Sequence, residues 1–454
     1  MKYLSLGILV LIQYSLLFSQ PIPSDNIISQ SRKLLFDAGE NWESLTIFGP
    51  IQFENEEQKD IRPILKMESI IGLDNQNNIF SAYYSGHFEF KNNFYGYSYP
   101  KLDSKTYKYD SRNIFADFTN GENNLSGIGF KKNWVTLQIS NGQQSWGAGN
   151  DIELALSNNS SAFDYFLLAS DYGKVRVRYI HGFLENVQGN INRYITARGF
   201  EWTNKKSLII GFSETVIYSG ENRPIDIGYL NPISSHIEIE LNNRLNIIGE
   251  RNSNAVWQLH FDCMLNKRIR LSANYLFDEL VFDPKIEIGK EHGKAYSMRI
   301  GYSPLFSNKH LLTIYSTLVH IGTPTFRHAV GTNNFVQNGR PLGWQKGSDG
   351  QDLSIGLNYF NQKNIRFSIH TGYFETGDEN ILNRAFDSYS DYLIGHYPSG
   401  EIYETIYFDA FIKYWWKPYV SILSGLNWFD NLENYNSLDL RFSIQIFHAF
   451  SYNL

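Results

Sequence analysis

Residues 438–454, LDLRFSIQIFHAFSYNL, decide the fold. Leu438, Leu440, Phe442, Ile444, Ile446, Phe450, Tyr452 and Leu454 share one parity, broken only by His448, while Asp439, Arg441, Ser443, Gln445, Ser451 and Asn453 take the other. Successive side chains of a strand point to opposite faces, so this alternation gives one oily flank and one wet flank. A tilted strand crosses the hydrocarbon of a bilayer in about nine to eleven residues, and this segment is long enough to do so.

Working outward, the same period recurs. Val175, Val177 and Tyr179 alternate with Lys174, Arg176 and Arg178; Ile269, Leu271, Ala273, Tyr275 and Phe277 alternate with Arg268, Arg270, Ser272 and Asn274. Three cationic positions on one strand face do not sit in lipid, so that face is expected to meet a wet lumen. Further strands are expected at Phe80–Phe90, Trp257–Cys263, Tyr296–Tyr302, Leu353–Tyr359, Ile365–Tyr373, Ile406–Trp416 and Val420–Trp428. Polar, turn-rich stretches such as Asp74–Asn78, Gly121–Asn124, Gly220–Arg223, Gly347–Gln351 and Gly377–Asn380 separate them.

Composition agrees. Aromatic residues make up 16% of the chain, with 30 Tyr, 32 Phe and 9 Trp, yet the mean hydropathy is only -0.33. Abundant rings without overall hydrophobicity suit a transmembrane barrel, whose aromatic girdles mark both interfaces. No run of about eighteen apolar residues follows Gln20, so a helical membrane protein is excluded. The single cysteine, Cys263, excludes an internal disulfide framework. The net charge of -6, from 40 basic and 46 acidic residues spread along the chain, makes no basic face for nucleic acid.

The first residues read as an export signal: Lys2, an apolar core from Leu4 to Phe18, then Ser19 and Gln20. That core is shorter than a membrane-spanning helix, so cleavage near Ser19 or Gln20 is expected, with an uncut anchor as the alternative. The division is residues 1–20 as signal peptide and 21–454 as one β-barrel domain. About 434 mature residues, at roughly 24 per strand with its share of loop, give about eighteen strands. The expected fold is therefore all-β, a closed antiparallel transmembrane barrel, with a short helical N-terminal element at Ile27–Ala38.

The most distinctive block is Trp134–Glu185. It holds Trp146-Gly147-Ala148-Gly149 and then Ile152–Ser157, followed by Asn158 and Asn159. Two glycines beside a tryptophan permit a tight or left-handed backbone, and paired asparagines suit a turn, so a structural corner is the simpler reading. Glycan binding is the other: ring faces stack on sugars, and amides both donate and accept.

In this block the chain resembles the Wzi-type capsule assembly outer-membrane proteins, which carry a Trp-Gly-x-Gly element followed by Leu-Ser-Asn-Asn, here Leu156-Ser157-Asn158-Asn159. The likeness continues through Arg198-Gly199-Phe200-Glu201-Trp202, Gly211-Phe212-Ser213-Glu214, Tyr218-Ser219-Gly220 and Tyr229-Leu230-Asn231-Pro232. It then takes in Phe277-Asp278-Glu279, Phe326-Arg327-His328, Gly339-Arg340-Pro341-Leu342-Gly343 and Ser348-Asp349-Gly350, spanning residues 134–360. The resemblance implies a plugged barrel that retains capsular polysaccharide, inserted by the barrel-assembly machinery into outer-membrane lipid. It also implies relatives that serve gliding motility or adhesion, and a porin-like channel stands as a further alternative.

No catalytic constellation emerges. Asp278 and Glu279 are neighbours on a strand and would point to opposite faces, so they cannot flank one glycosidic bond. His328 has no nucleophile motif beside it. Asp349 and Asp352, near Gly347 and Gly350, are read as a turn in preference to a calcium loop. No cofactor, metal or enzyme activity is expected. Lys174, Arg176, Arg178, Arg268 and Arg270 are the candidate contacts for an anionic polysaccharide. The competing reading pairs them with lumen carboxylates such as Glu238, Glu240 and Asp262.

Overall fold

A computed structural model describes residues 64–453 except 77–78, 91–92, 100, 104–113, 116–117, 121–124, 133, 159, 188, 247–252, 279–291, 308–309, 362, 389–395, 418–419 and 432–434. The expected signal peptide and the helical element at Ile27–Ala38 lie outside them.

The described chain is almost wholly strand. β1 (Ile64–Gln76), β2 (Ile79–Phe90) and β3 (Phe94–Tyr99) are followed by the short β4 (Lys101–Asp103), β5 (Ile114–Phe115) and β6 (Phe118–Asn120). Next come β7 (Leu125–Lys132), β8 (Val135–Gly142), β9 (Phe163–Asp171), β10 (Val175–Phe183), β11 (Ile191–Thr203) and β12 (Leu208–Glu221). Two small helices, α1 (Ile227–Leu230) and α2 (His236–Leu241), precede β13 (Ser253–Asn266), β14 (Ile269–Phe277), β15 (Lys294–Phe306) and β16 (Leu311–Ile321). The remainder comprises β17 (Val336–Gln337), β18 (Arg340–Pro341), β19 (Gly350–Phe360), β20 (Ile365–Thr376), β21 (Tyr403–Lys417), β22 (Val420–Asn431) and β23 (Tyr435–Asn453).

All but β17 and β18 belong to one 21-stranded sheet. Every pairing in it is antiparallel. Neighbours in sequence are mostly neighbours in space, and β1 bonds to β2 along one edge and to β23 along the other. Ile64 sits opposite Asn453, so the first and last described strand ends share one rim. That rim also holds several short turns, among them 204–207 between β11 and β12, 267–268 between β13 and β14, and 361–364 between β19 and β20. The long connections after β8, β12, β16 and β20 leave from the opposite rim.

The alternation sorts side chains as the sequence requires. One face, here the outer face, is apolar and open: Ile128, Ile139, Phe200, Leu259, Ile300, Ile355, Leu440 and Phe442 are all exposed on it. The other face is polar and covered: Gln138, Arg178, Gln258, Asn274, Arg299, Ser354 and Gln445 are buried. A soluble protein hides its oily face and wets its polar one. This sheet does the reverse, which is the arrangement of a wall in lipid.

That inversion fixes an expected result. Ile355, in the middle of β19, is 53% exposed on the outer face. Ile355→Arg is expected to destabilise the folded protein in lipid vesicles by about 2–4 kcal/mol, the cost of a guanidinium near the bilayer midplane. Reversible denaturant unfolding from vesicles measures it. A change within about 0.5 kcal/mol would mark the site as ordinary watered surface.

Candidate functional site

The inner face is built from side chains that share a register and answer one another. Gln138 on β8 accepts from Tyr95 Oη at 2.5 Å and donates to Tyr97 Oη at 3.2 Å and Tyr165 Oη at 3.0 Å, tying β3, β8 and β9 together. Further round, Arg270 Nη2 lies 2.6 Å from Asp262 Oδ2, and its Nε donates to Oδ1 at 2.9 Å. Arg176 Nε is 3.1 Å from Glu201 Oε1, with His260 Nε2 at 3.9 Å from the other oxygen of that carboxylate. These charges are held away from water, where an ion pair persists only with good geometry and supporting hydrogen bonds.

Against this face pack two long connections, residues 143–162 and 322–349. Trp146, Ile152, Leu154 and Leu156 from the first join Phe326, Phe335, Leu342 and Trp344 from the second in one apolar cluster, which also takes in Ile180, Ile217 and Val256 of the wall. Backbone bonds lace the two together: Ser157 N donates to Leu342 O at 2.8 Å and Trp344 N to Leu154 O at 3.2 Å, while Ser157 Oγ donates to Gly343 O at 2.6 Å. Asn274 on β14 anchors the first connection, accepting from Ala148 N at 2.7 Å and donating to Ala148 O at 2.9 Å. Arg193 anchors the second, with Nε donating to Thr332 O at 2.6 Å and Nη2 to Asn334 O and Val336 O at 2.9 and 3.0 Å.

The residues singled out in the sequence divide accordingly. Trp146 is 1% exposed, with Nε1 donating to Gln144 at 3.4 Å and the Arg178 guanidinium 5.9 Å from its ring, so no ring face is open to a sugar. Gly147 and Gly149 have φ of 127° and 83°, the left-handed region a corner needs. Asn158 is exposed beside this corner, and Asn159 lies outside the described residues. Ser157 and Gly343 form the lacing already described; a β-carbon at Gly343 would run into the Leu154 carbonyl oxygen. Asp349, buried with φ 52°, accepts from Thr323 Oγ1 at 2.7 Å and Ser399 N at 3.0 Å, next to Gly350, where β19 begins. Asp352 takes Lys346 Nζ at 2.6 Å, and burial pushes that ammonium below its ordinary pKa while Asp352 opposes the shift. Both carboxylates therefore have protein partners; Asp349 sits in the turn before β19 as expected, whereas Asp352 lies in β19 itself, opposite Val319. Asp278 accepts from Phe326 N, His328 Nδ1 accepts from Val330 N at 3.0 Å, and Glu279 lies outside the described residues.

The basic group does not form one patch. Arg176, Arg178 and Arg270 are on the inner face, whereas Lys174 and Arg268 are exposed in turns at the rim opposite the long connections. The pairing with Asp262 is present, but Glu238 and Glu240 are not carboxylates of the inner face. They sit on α2, where Glu238 pairs with Arg244 at 2.6 Å and Glu240 accepts from Ser253 Oγ. The alternation Ile237-Glu238-Ile239-Glu240-Leu241 imitates a strand. The overriding signal was Ser235 three residues before Glu238: its Oγ accepts from Glu238 N at 3.2 Å and caps a helix. Glu214, Asn231 and Pro232 belong to the same region. Glu214 pairs with Arg198 at 3.3 Å, Asn231 O accepts from Arg198 Nη1 at 3.1 Å, Pro232 is exposed, and Gly220 lies in β12 opposite Asn192. Arg193 escaped sequence reading because one arginine opposite Tyr194 in parity carries no pattern of its own.

Among the described residues no cluster of three or more His, Cys, Asp or Glu is placed to hold a metal. Two consequences can be measured. Arg270→Ala leaves Asp262 buried and unpaired and is expected to cost about 3–5 kcal/mol in unfolding experiments, most of it recovered in the Arg270→Met, Asp262→Leu double variant. Gly343→Ala is expected to separate the two connections, so that limited proteolysis cuts 143–162 and 322–349 much faster than in the parent protein.

No protein-family model matches the sequence, and neither does any curated protein. Solved structures do. Wzi, an outer-membrane protein involved in group 1 capsule assembly in Escherichia coli and described as a carbohydrate-binding β-barrel, superposes with a TM-score of 0.60 at 12% identity, covering 84% of each chain. Pseudomonas aeruginosa OprD gives 0.46 at 10% identity over 86% of this chain and 95% of that one, and OpdK with vanillate 0.48 at 8% over 86% and 99%. At 12% identity the likeness to Wzi is one of fold: the chain has the architecture of an outer-membrane β-barrel.

Proposed function

We propose that the chain is a closed, plugged barrel of the outer membrane that binds or organises capsular or other surface polysaccharide without chemical catalysis. Followed once around through β1, β2, β3, β7 to β16 and β19 to β23, the pairings return to β1 after eighteen strands. In this reading residues 1–20 direct export, and the short turns face the periplasm with the long connections outside, the usual polarity of such barrels.

One observation supports the functional choice: two long connections pack together on the inner face. Connections 143–162 and 322–349 meet the inner wall in an apolar cluster, with their backbone polar groups bonded to each other and to Asn274 and Arg193. An apolar, hydrogen-bonded filling opposes solute flow, and it fixes the outward loops as a preformed surface, which lowers the ordering cost of binding a flexible glycan. The buried Trp146 and Arg178 serve that filling. Contact with polysaccharide falls to exposed groups, and among the described residues of the Trp146–Asn159 block in the sequence-derived set Asn158 is exposed.

A porin-like channel is the second reading, favoured by the carboxylates of Asp151 in connection 143–162 and Asp409 on the inner face of β21, which keep 47% and 45% side-chain exposure. Planar-bilayer recordings and a glycan-retention assay on the detergent-purified protein separate the two. Low conductance with retention of the native strain's capsular polysaccharide is expected, weakened by Asn158→Ala. Strong ohmic conductance without retention would establish the channel instead. A deletion strain that keeps its capsule but loses gliding or attachment would move the role to motility.

A further inference from the structure

The outer face changes character halfway along β10 to β13. Toward the short-turn rim Val177, Phe200, Ile210 and Leu259 are exposed like the rest of the apolar belt. Toward the other rim the same parity carries Tyr179, Arg198, Glu214 and Tyr218, which register places on the same face, and these are buried. Their cover is the segment 222–246 with α1 and α2, which leaves β12 and folds back over the outside of the wall.

The cover is specifically attached. Tyr179 Oη donates to Tyr229 O at 2.8 Å, Arg198 Nη1 to Asn231 O at 3.1 Å, and Glu214 Oε1 accepts from His236 N at 3.0 Å and Trp257 Nε1 at 2.9 Å. The Tyr229 ring stacks on Tyr218 at 4.6 Å, and Tyr218 on Tyr194 at 4.9 Å. Arg198 and Glu214 are thus an ion pair on the lipid side of the wall, an arrangement that hydrocarbon penalises heavily unless protein shields it. Residues 222–246 are the shield.

The shield's own outer surface carries an oily patch, bordered by the exposed Asn242, Asn243 and Arg244. Ile227, Leu230, Ile237 and Leu241 are exposed on it, and Ile233 is 90% exposed. On α2 the apolar Ile239 faces the wall while Ile237 and Leu241 face away, so the short helix is apolar on both sides. Beneath the patch Tyr194 packs edge-on against the exposed Phe183 of the belt at 5.7 Å, and the rings Tyr194, Tyr218, Tyr229 and Trp257 are of the kind that mark a bilayer interface. We propose that residues 222–246 form a saddle embedded in the leaflet at the long-connection rim, taking the place of acyl chains over the Arg198–Glu214 pair and presenting Ile227, Leu230, Ile233, Ile237 and Leu241 to the surrounding acyl chains. Its occupant is membrane lipid, because the patch extends the lipid-facing belt.

The inference rests on the wall being a membrane wall, and the test separates the two. In the full-length protein carrying Cys263→Ser, single cysteines are placed at Ile233, Leu241, Ile355 and Asp378, labelled with an environment-sensitive fluorophore and reconstituted in phosphatidylcholine vesicles, folding being checked by heat-modifiable gel migration. Labels at Ile233 and Leu241 are expected to be quenched by acyl-chain-brominated lipid to within twofold of the Ile355 label, and at least fivefold less by aqueous iodide than the Asp378 label. Iodide quenching at Ile233 equal to that at Asp378, with Ile355 still reporting lipid, would sink the saddle alone. Protection from both quenchers would mean a protein cover and also sink it. Failure of bromolipid to reach Ile355 would remove the membrane wall itself.

Discussion

Hydrocarbon offers a peptide group nothing to bond to, and this structure is arranged around that fact. Each strand must satisfy its amides and carbonyls from strands on either side, which antiparallel pairing from β1 through to β23 and back to β1 does. With the backbone settled that way, side chains have two surroundings to choose between, and the sequence assigns them by parity. Leu440, Phe442 and Ile444 go outward along β23 while Ser443 and Gln445 turn in. Apart from groups such as the covered Arg198–Glu214 pair, the polar side chains of the wall must then be accommodated on one side. The inner face is accordingly dense with paired charges and amides, and it needs partners from within.

Those partners are carboxylates of neighbouring strands and the backbone of the connections. Charges such as Arg270 and Arg193 reach carboxylates or backbone carbonyls and not bulk water. Buried pairs of this kind add little net stability but are costly to break singly, so they act chiefly on specificity: a slipped register would strand them.

How much of this was legible in the sequence follows from the range of the forces involved. Strand identity and facing are written locally, in every second residue, and the segments around Val177, Ile355 and Leu440 read correctly because lipid and interior impose the alternation without help from distant residues. Trp146 and Ser157 were harder. Their neighbours, Gly343 and Trp344, come from almost two hundred positions away, and no local period announces such a contact. The corner could be recognised from Gly147 and Gly149, whereas what it packs against could not. Arg268 was grouped with Arg270 by parity, but a two-residue turn puts it outside the wall. Glu238 and Glu240 were misplaced for a different reason: a six-residue helix capped by Ser235 can carry an alternating sequence when both its sides are oily, so period alone misleads there.

The tie between Ser157 and Gly343 spans 186 positions of chain. A contact of that separation closes late, after the intervening strands have found their neighbours. If the wall closes as proposed above, its inward arginines and amides stay wetted by solvent until the two connections meet and expel that water.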